Sequence, residues 1–119
     1  MQIGIDIVEA ERMRATIERW GERFTSRVFT QREKDFCLTR RNPHLSYAAR
    51  FAAKEALLKA IGTGLSRGMS WLDIEILDDE HSRPTVEVRG EVGRLVGGRE
   101  LILSLSHTRE HALAVVIIE

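Results

Sequence analysis

The sequence has one cysteine, two prolines and only 6% aromatic residues. A lone Cys37 has no partner for an internal disulfide, and its setting Asp35-Phe36-Cys37-Leu38 reads as a helix face and not as a reactive thiol. No apolar run approaches the roughly 20 residues a membrane-crossing helix needs. The opening MQIGIDIVEAERM carries acids where a secretory leader carries basic residues and a long apolar stretch. The expected location is the cytoplasm, away from any membrane. Net charge is also missing, because 18 Lys+Arg balance 18 Asp+Glu, which argues against gripping nucleic acid by bulk positive charge. With no linker, repeat or low-complexity tract, residues 1–119 are expected to form a single domain.

What is present is an ordinary globular mixture, 43% apolar and 30% charged. Its charges are unevenly placed: residues 1–60 hold twelve Lys/Arg and eight Asp/Glu, and residues 61–119 hold six and ten. An acidic partner is therefore expected to dock on the first half.

Ile3, Ile5 and Ile7 alternate with Gly4, Asp6 and Val8, the period of a strand with at least one buried face. From Glu9 to Trp20 the period lengthens, with Met13, Ile17 and Trp20 forming the apolar stripe of an amphipathic helix. Thr30 with Glu33 fits a capping box that opens a second helix ending near Arg41. Asn42 as N-cap, Pro43 at the first position and Gly62 as the stop bound a third, about 28 Å long. Strands follow at 71–77 and 85–88 around a polar turn, then a short helix at 91–96 and two apolar strands at 101–106 and 112–118. The expected architecture is an α+β fold, a mostly antiparallel sheet packed on a long central helix.

Asp6 is an anomaly, since a carboxylate inside a buried strand is costly to desolvate unless a cation or several donors meet it. An arginine or backbone amides would satisfy it structurally. Glu55 shares a helical face with Phe51, Ala52, Leu58 and Lys59, and an ordinary Glu55–Lys59 pair would explain it alone. If the first strand packs on this helix, Asp6 and Glu55 converge, and two carboxylates with waters and phosphate oxygens are the usual way to hold Mg²⁺. Nearby phosphate would draw on Lys59, Lys54 or Arg50. Gly62-Thr63-Gly64 follows a helix end, where the dipole repels anions, so it is no Walker loop. His107 ends a strand, where polar groups are often delivered to a site. His107 and His111 have the spacing of zinc ligands but flank a turn without a third ligand nearby.

Three segments together resemble the bacterial holo-acyl-carrier-protein synthase family, the small class of 4′-phosphopantetheinyl transferases. They are Gly4-Ile5-Asp6-Ile7-Val8-Glu9 with Arg12; Arg50-Phe51-Ala52-Ala53-Lys54-Glu55-Ala56 running on to Lys59-Ala60-Ile61-Gly62-Thr63-Gly64; and Leu103-Ser104-Leu105-Ser106-His107-Thr108. Arg23-Phe24 followed by Arg27, Thr30 and Glu33 is a weaker fourth. The resemblance implies transfer of the phosphopantetheine arm of coenzyme A to a serine of an acyl carrier protein. It assigns Asp6 and Glu55 to Mg²⁺, Lys59 to the reacting phosphate, and Arg50, Gly62, Thr63, Gly64, His107 and Thr108 to the coenzyme A pocket. Glu55 is the expected base. Arg12 matches a carrier-contacting position, with Arg19, Arg23 and Phe24 as plausible neighbours, and the family implies a homotrimer with sites at the subunit interfaces. Two departures stand out: Gln2 replaces a glycine of many members, and Val8 leaves no third acid two residues after Asp6. A non-catalytic module of the same fold and a small Arg-rich nucleic-acid binder are the competing readings; Asp6, Glu55 and Lys59 disfavour the first and zero net charge the second.

Overall fold

The structure, a computed structural model, describes residues 1–119. Helix α4 (Pro43–Ile61) is the axis of the molecule, and its ends follow from the sequence. The Asn42 side chain accepts the Leu45 amide at 3.2 Å, Pro43 takes a position that needs no donor, and Gly62 at φ 97° closes the C-terminus on the Leu58 carbonyl.

A three-stranded antiparallel sheet lies on α4 in the order β1 (Gln2–Glu9), β5 (His111–Ile118), β4 (Leu101–His107). The register Gly4↔Val116 and Asp6↔Ala114 sets the even residues of β1 and β5 toward the helix, with Leu101, Leu103 and Leu105 of β4 beside them. The approach is tight because both surfaces are small. A Cβ on Gly4 would lie 1.9 Å from the Ala56 carbonyl oxygen and 2.7 Å from the Ala60 nitrogen, so glycine is required for this contact. The opposite face of the sheet is apolar and uncovered, with Ile3, Ile5 and Ile7 each more than half exposed.

A second, two-stranded sheet, β2 (Ile74–Asp78) and β3 (Pro84–Val88), packs with α5 (Gly90–Val96) over the same core, which includes Leu57, Ile74, Ile76 and Val92. Helices α1 (Ala10–Trp20), α2 (Glu22–Val28) and α3 (Gln31–Leu38) build a smaller core on the first half of α4 around Met13, Phe29, Cys37 and Tyr47. No helix is long and apolar enough to cross a membrane.

The α+β architecture matches expectation, with three local differences. Helix α2 has no sequence signal, being seven residues long without a side-chain N-cap. Helix α3 stops at Leu38, because the Thr39 hydroxyl bonds the Phe36 carbonyl at 2.7 Å and competes with further helix. The strand expected from Trp71 begins at Ile74, after Ser70 and Asp73 cap a 3₁₀ turn over Trp71–Asp73.

The Thr30–Glu33 capping box does more than start α3. Glu33 is fully buried, and its carboxylate accepts from the Thr30 amide, the Ile76 amide and the Lys54 ammonium, each at 2.8 Å. Lys54, also fully buried, donates further to the Val28 carbonyl at 2.6 Å and the Trp71 carbonyl at 3.2 Å. Its three donors meet three acceptors, tying α2, α3 and the 3₁₀ turn to α4. Lys54 is thus structural and withheld from any phosphate, which corrects the expectation above.

Candidate active site

The third, fourth and fifth turns of α4 and the inner face of β1 frame a cavity of about 650 Å³, walled on its far side by α1. Asp6 enters it from β1, and Phe51, Glu55 and Lys59 enter from α4 at four-residue spacing along one helix face. Arg12, Met13 and Thr16 of α1, Phe24 of α2 and His111 at the start of β5 complete much of the lining.

Asp6 finds its cation in Lys59, whose ammonium lies 2.9 Å from the Asp6 carboxylate and 3.1 Å from the Ile5 carbonyl. The expected i,i+4 pair between Glu55 and Lys59 does not form; the lysine turns to the strand instead. Glu55 faces the cavity with its pKa pushed above the usual glutamate range, by burial first and by the charge of Asp6 second, with Lys59 only partly opposing them. Two carboxylates therefore press on each other beside one lysine. Phe51 lines the cavity, packed at a tilt between Phe24 at 6.4 Å and Trp71 at 5.2 Å between ring centroids. Nowhere in the chain do three or more His, Cys, Asp or Glu side chains gather as a metal cage.

The remaining expected site residues lie elsewhere in the single chain. Arg50 and His107 line a second cavity of about 460 Å³ with Asn42, Pro84 and Leu105, and the two cavities share no residue. Arg50 is only 4% exposed. Its guanidinium stacks 4.2 Å from the Phe36 ring centre and lies 3.8 Å from the Asp78 carboxylate, and its buried Nε has no hydrogen-bond partner. A cation left incompletely satisfied beside a cavity is an anion-binding feature. Thr108 is spent on its own turn, its hydroxyl accepting the Glu110 and His111 amides. Gly62, Thr63 and Gly64 form an exposed loop beyond the end of α4 and line neither cavity.

On α1, Arg14 is engaged by Glu11 and Glu18, which leaves Arg12 free on the cavity wall. Arg19 and Arg23 flank Trp20 outside it. Sequence reasoning gave no role to Thr16, Met13 or His111 in the first cavity, or to Arg40 and Arg41 in the second. Only the arginine excess of the first half hinted at the latter two.

The chain is similar to known proteins along nearly its whole length. Residues 2–116 match the family model described as the 4′-phosphopantetheinyl transferase superfamily. The chain is 47% identical over 115 residues to a holo-[acyl-carrier-protein] synthase of Protochlamydia amoebophila, covering 97% of this chain and 94% of the relative. A holo-[acyl-carrier-protein] synthase of Chloroherpeton thalassium is 46% identical over 119 residues, covering 100% of this chain and 98% of the relative. The crystal structure of Helicobacter pylori holo-[acyl-carrier-protein] synthase in complex with coenzyme A superposes with a TM-score of 0.88 at 32% identity, covering 98% of this chain and 99% of that one.

Proposed function

The chain belongs to the 4′-phosphopantetheinyl transferase superfamily and aligns end to end with its holo-[acyl-carrier-protein] synthases, and we propose that its two cavities are the halves of their active site. The reaction moves the 4′-phosphopantetheine arm of coenzyme A to a serine of apo acyl carrier protein and releases adenosine 3′,5′-bisphosphate. One observation carries the assignment of residues: Asp6, Glu55 and Lys59, from a strand and a helix far apart in sequence, meet in one cavity.

The donor set suits a divalent cation. Two carboxylates that repel each other, with no third protein ligand, match the partial protein coordination that Mg²⁺ favours. Asp6 and Glu55 would hold it, and when bound it would draw charge from the pyrophosphate oxygens of coenzyme A. Lys59, held by the Ile5 carbonyl and Asp6, would set a positive charge beside the reacting phosphate. The serine oxygen bonds to the phosphorus bearing the pantetheine arm, and the bond from that phosphorus to the bridging oxygen breaks. Glu55 takes the serine proton, directly or through a water.

The separation of the cavities gives the assembly a purpose. Arg50 and His107 line a space that shares no residue with the Asp6–Glu55 cavity. The uncovered row Ile3, Ile5 and Ile7 is an apolar sheet face that a second copy would bury. A homotrimer in which one copy supplies the carboxylates and its neighbour the Arg50–His107 pocket accounts for both. In it the Gly62–Thr63–Gly64 loop and Thr108, which line neither cavity of a single chain, would meet coenzyme A at the join. Arg12, Arg19, Arg23 and Phe24 face the carrier protein, and the reaction takes place in the cytoplasm.

The test is the intact mass of an apo acyl carrier protein incubated with this protein, coenzyme A and Mg²⁺. A gain of one phosphopantetheine arm, lost when EDTA is added, supports the reading. No gain across several carrier proteins, with coenzyme A still bound, would mark a binding module without turnover.

A further inference from the structure

The apolar stripe of α1 places Trp20 with Met13 and Ile17, yet the two ends of that stripe have opposite fates: Met13 is 4% exposed and Trp20 is 46% exposed. Met13, Thr16 and Trp20 follow at intervals of three and four, so they share one side of the helix. The first two line the Asp6–Glu55 cavity. Trp20 stands one turn farther out, about 6 Å along the axis from Thr16. The chain turns at Gly21 into α2, which brings a second arginine back to the same ring. The guanidinium carbons of Arg19 and Arg23 lie 5.0 Å and 5.9 Å from the Trp20 ring centre, and neither arginine has a carboxylate partner within the chain.

We propose that Trp20 is the apolar anchor of the carrier-docking face, holding Arg19 and Arg23 in place for the carboxylates of an acidic helix. This rests on the transfer reaction proposed above. Stacking on the indole limits where the two long side chains swing, so less freedom is lost when they engage a partner. An exposed tryptophan between two arginines has the composition of interface hot spots: a flat apolar surface for one partner side chain, flanked by charges. The occupant follows from charge and position. On α1 and α2, Glu11 and Glu18 are engaged by Arg14, so Arg12, Arg19 and Arg23 face only Glu22 as an unpaired acid, and Thr16, one turn inward from Trp20, lines the cavity where the carrier's serine must arrive.

Calorimetric titration with an apo acyl carrier protein, without coenzyme A or metal, and transfer kinetics test the proposal on wild type, Trp20→Ala and Trp20→Phe. Trp20→Ala is expected to weaken carrier binding and raise the KM for carrier at least tenfold, with KM for coenzyme A unmoved and Trp20→Phe recovering most of the loss. A wild-type carrier KM in Trp20→Ala would overturn it, as would a smaller assembly of that variant in sedimentation, which would put Trp20 between copies of this chain. Wild-type protein that binds carrier without transferring the arm would remove the reaction and leave the anchor. Transfer by wild type and Trp20→Ala at equal carrier KM would do the reverse.

Discussion

Lys54 and Glu55 are neighbours on α4, and their surroundings are opposite. Lys54 is fully buried, with a carboxylate and two carbonyls around its ammonium. Glu55 faces a cavity, beside a second carboxylate that raises its pKa in addition to burial. One side of the helix is satisfied and holds the molecule together; the other sets two carboxylates against each other. Local consistency marks structure and local conflict marks function.

The largest break in this contrast is Lys54→Met. It leaves the Glu33 carboxylate buried without its cation, at a cost of about 3–5 kcal/mol against a total of about 5–15 kcal/mol for a domain. Urea unfolding should show that loss, with transfer activity following the folded fraction. An unchanged midpoint would mean the pair contributes nothing to the fold.

The proposed sharing of the site between copies can be broken separately. Glu55→Gln and His107→Ala should each be nearly inactive alone, while co-expression should restore about a quarter of wild-type activity, the share of random interfaces that join two intact halves. No recovery from mixed assemblies would place the whole site within one chain. Reversing the charge of Arg12 is a smaller change: Arg12→Glu should raise the KM for carrier several-fold and flatten its salt dependence, leaving urea stability alone. Unaltered salt dependence would remove Arg12 from the docking face.

Much of this contrast was legible in the sequence, unevenly. Asn42, Pro43 and Gly62 marked the ends of α4, and Thr30 with Glu33 marked the start of α3. The convergence of Asp6 and Glu55 was an inference from strand packing on helix, and Gly4 is what permits it at this distance. The sequence did not reveal that Glu33 serves both as cap and as the counter-ion of Lys54. That role depends on the Ile76 amide and Val28 carbonyl, tertiary partners without a local signature. Periodicity misplaced Trp20 for a similar reason: spacing fixes which side of α1 it occupies, while burial depends on where α2 turns away. The separation of Arg50 and His107 from Asp6 had no local signal, because motifs order residues along the chain without saying which of them share a cavity; only the interface sites implied by the resemblance anticipated it.

The decisive measurement is thermal unfolding of Glu55→Gln beside its transfer rate at pH 8. Folding raises the pKa of Glu55, so wild type loses stability as pH rises through the window between the unfolded and folded values, and the amide escapes that loss. Transfer should fall at least about 100-fold, while Tm, measured without metal, rises. Wild-type transfer, or activity and Tm falling together, would contradict a glutamate held in conflict for chemistry.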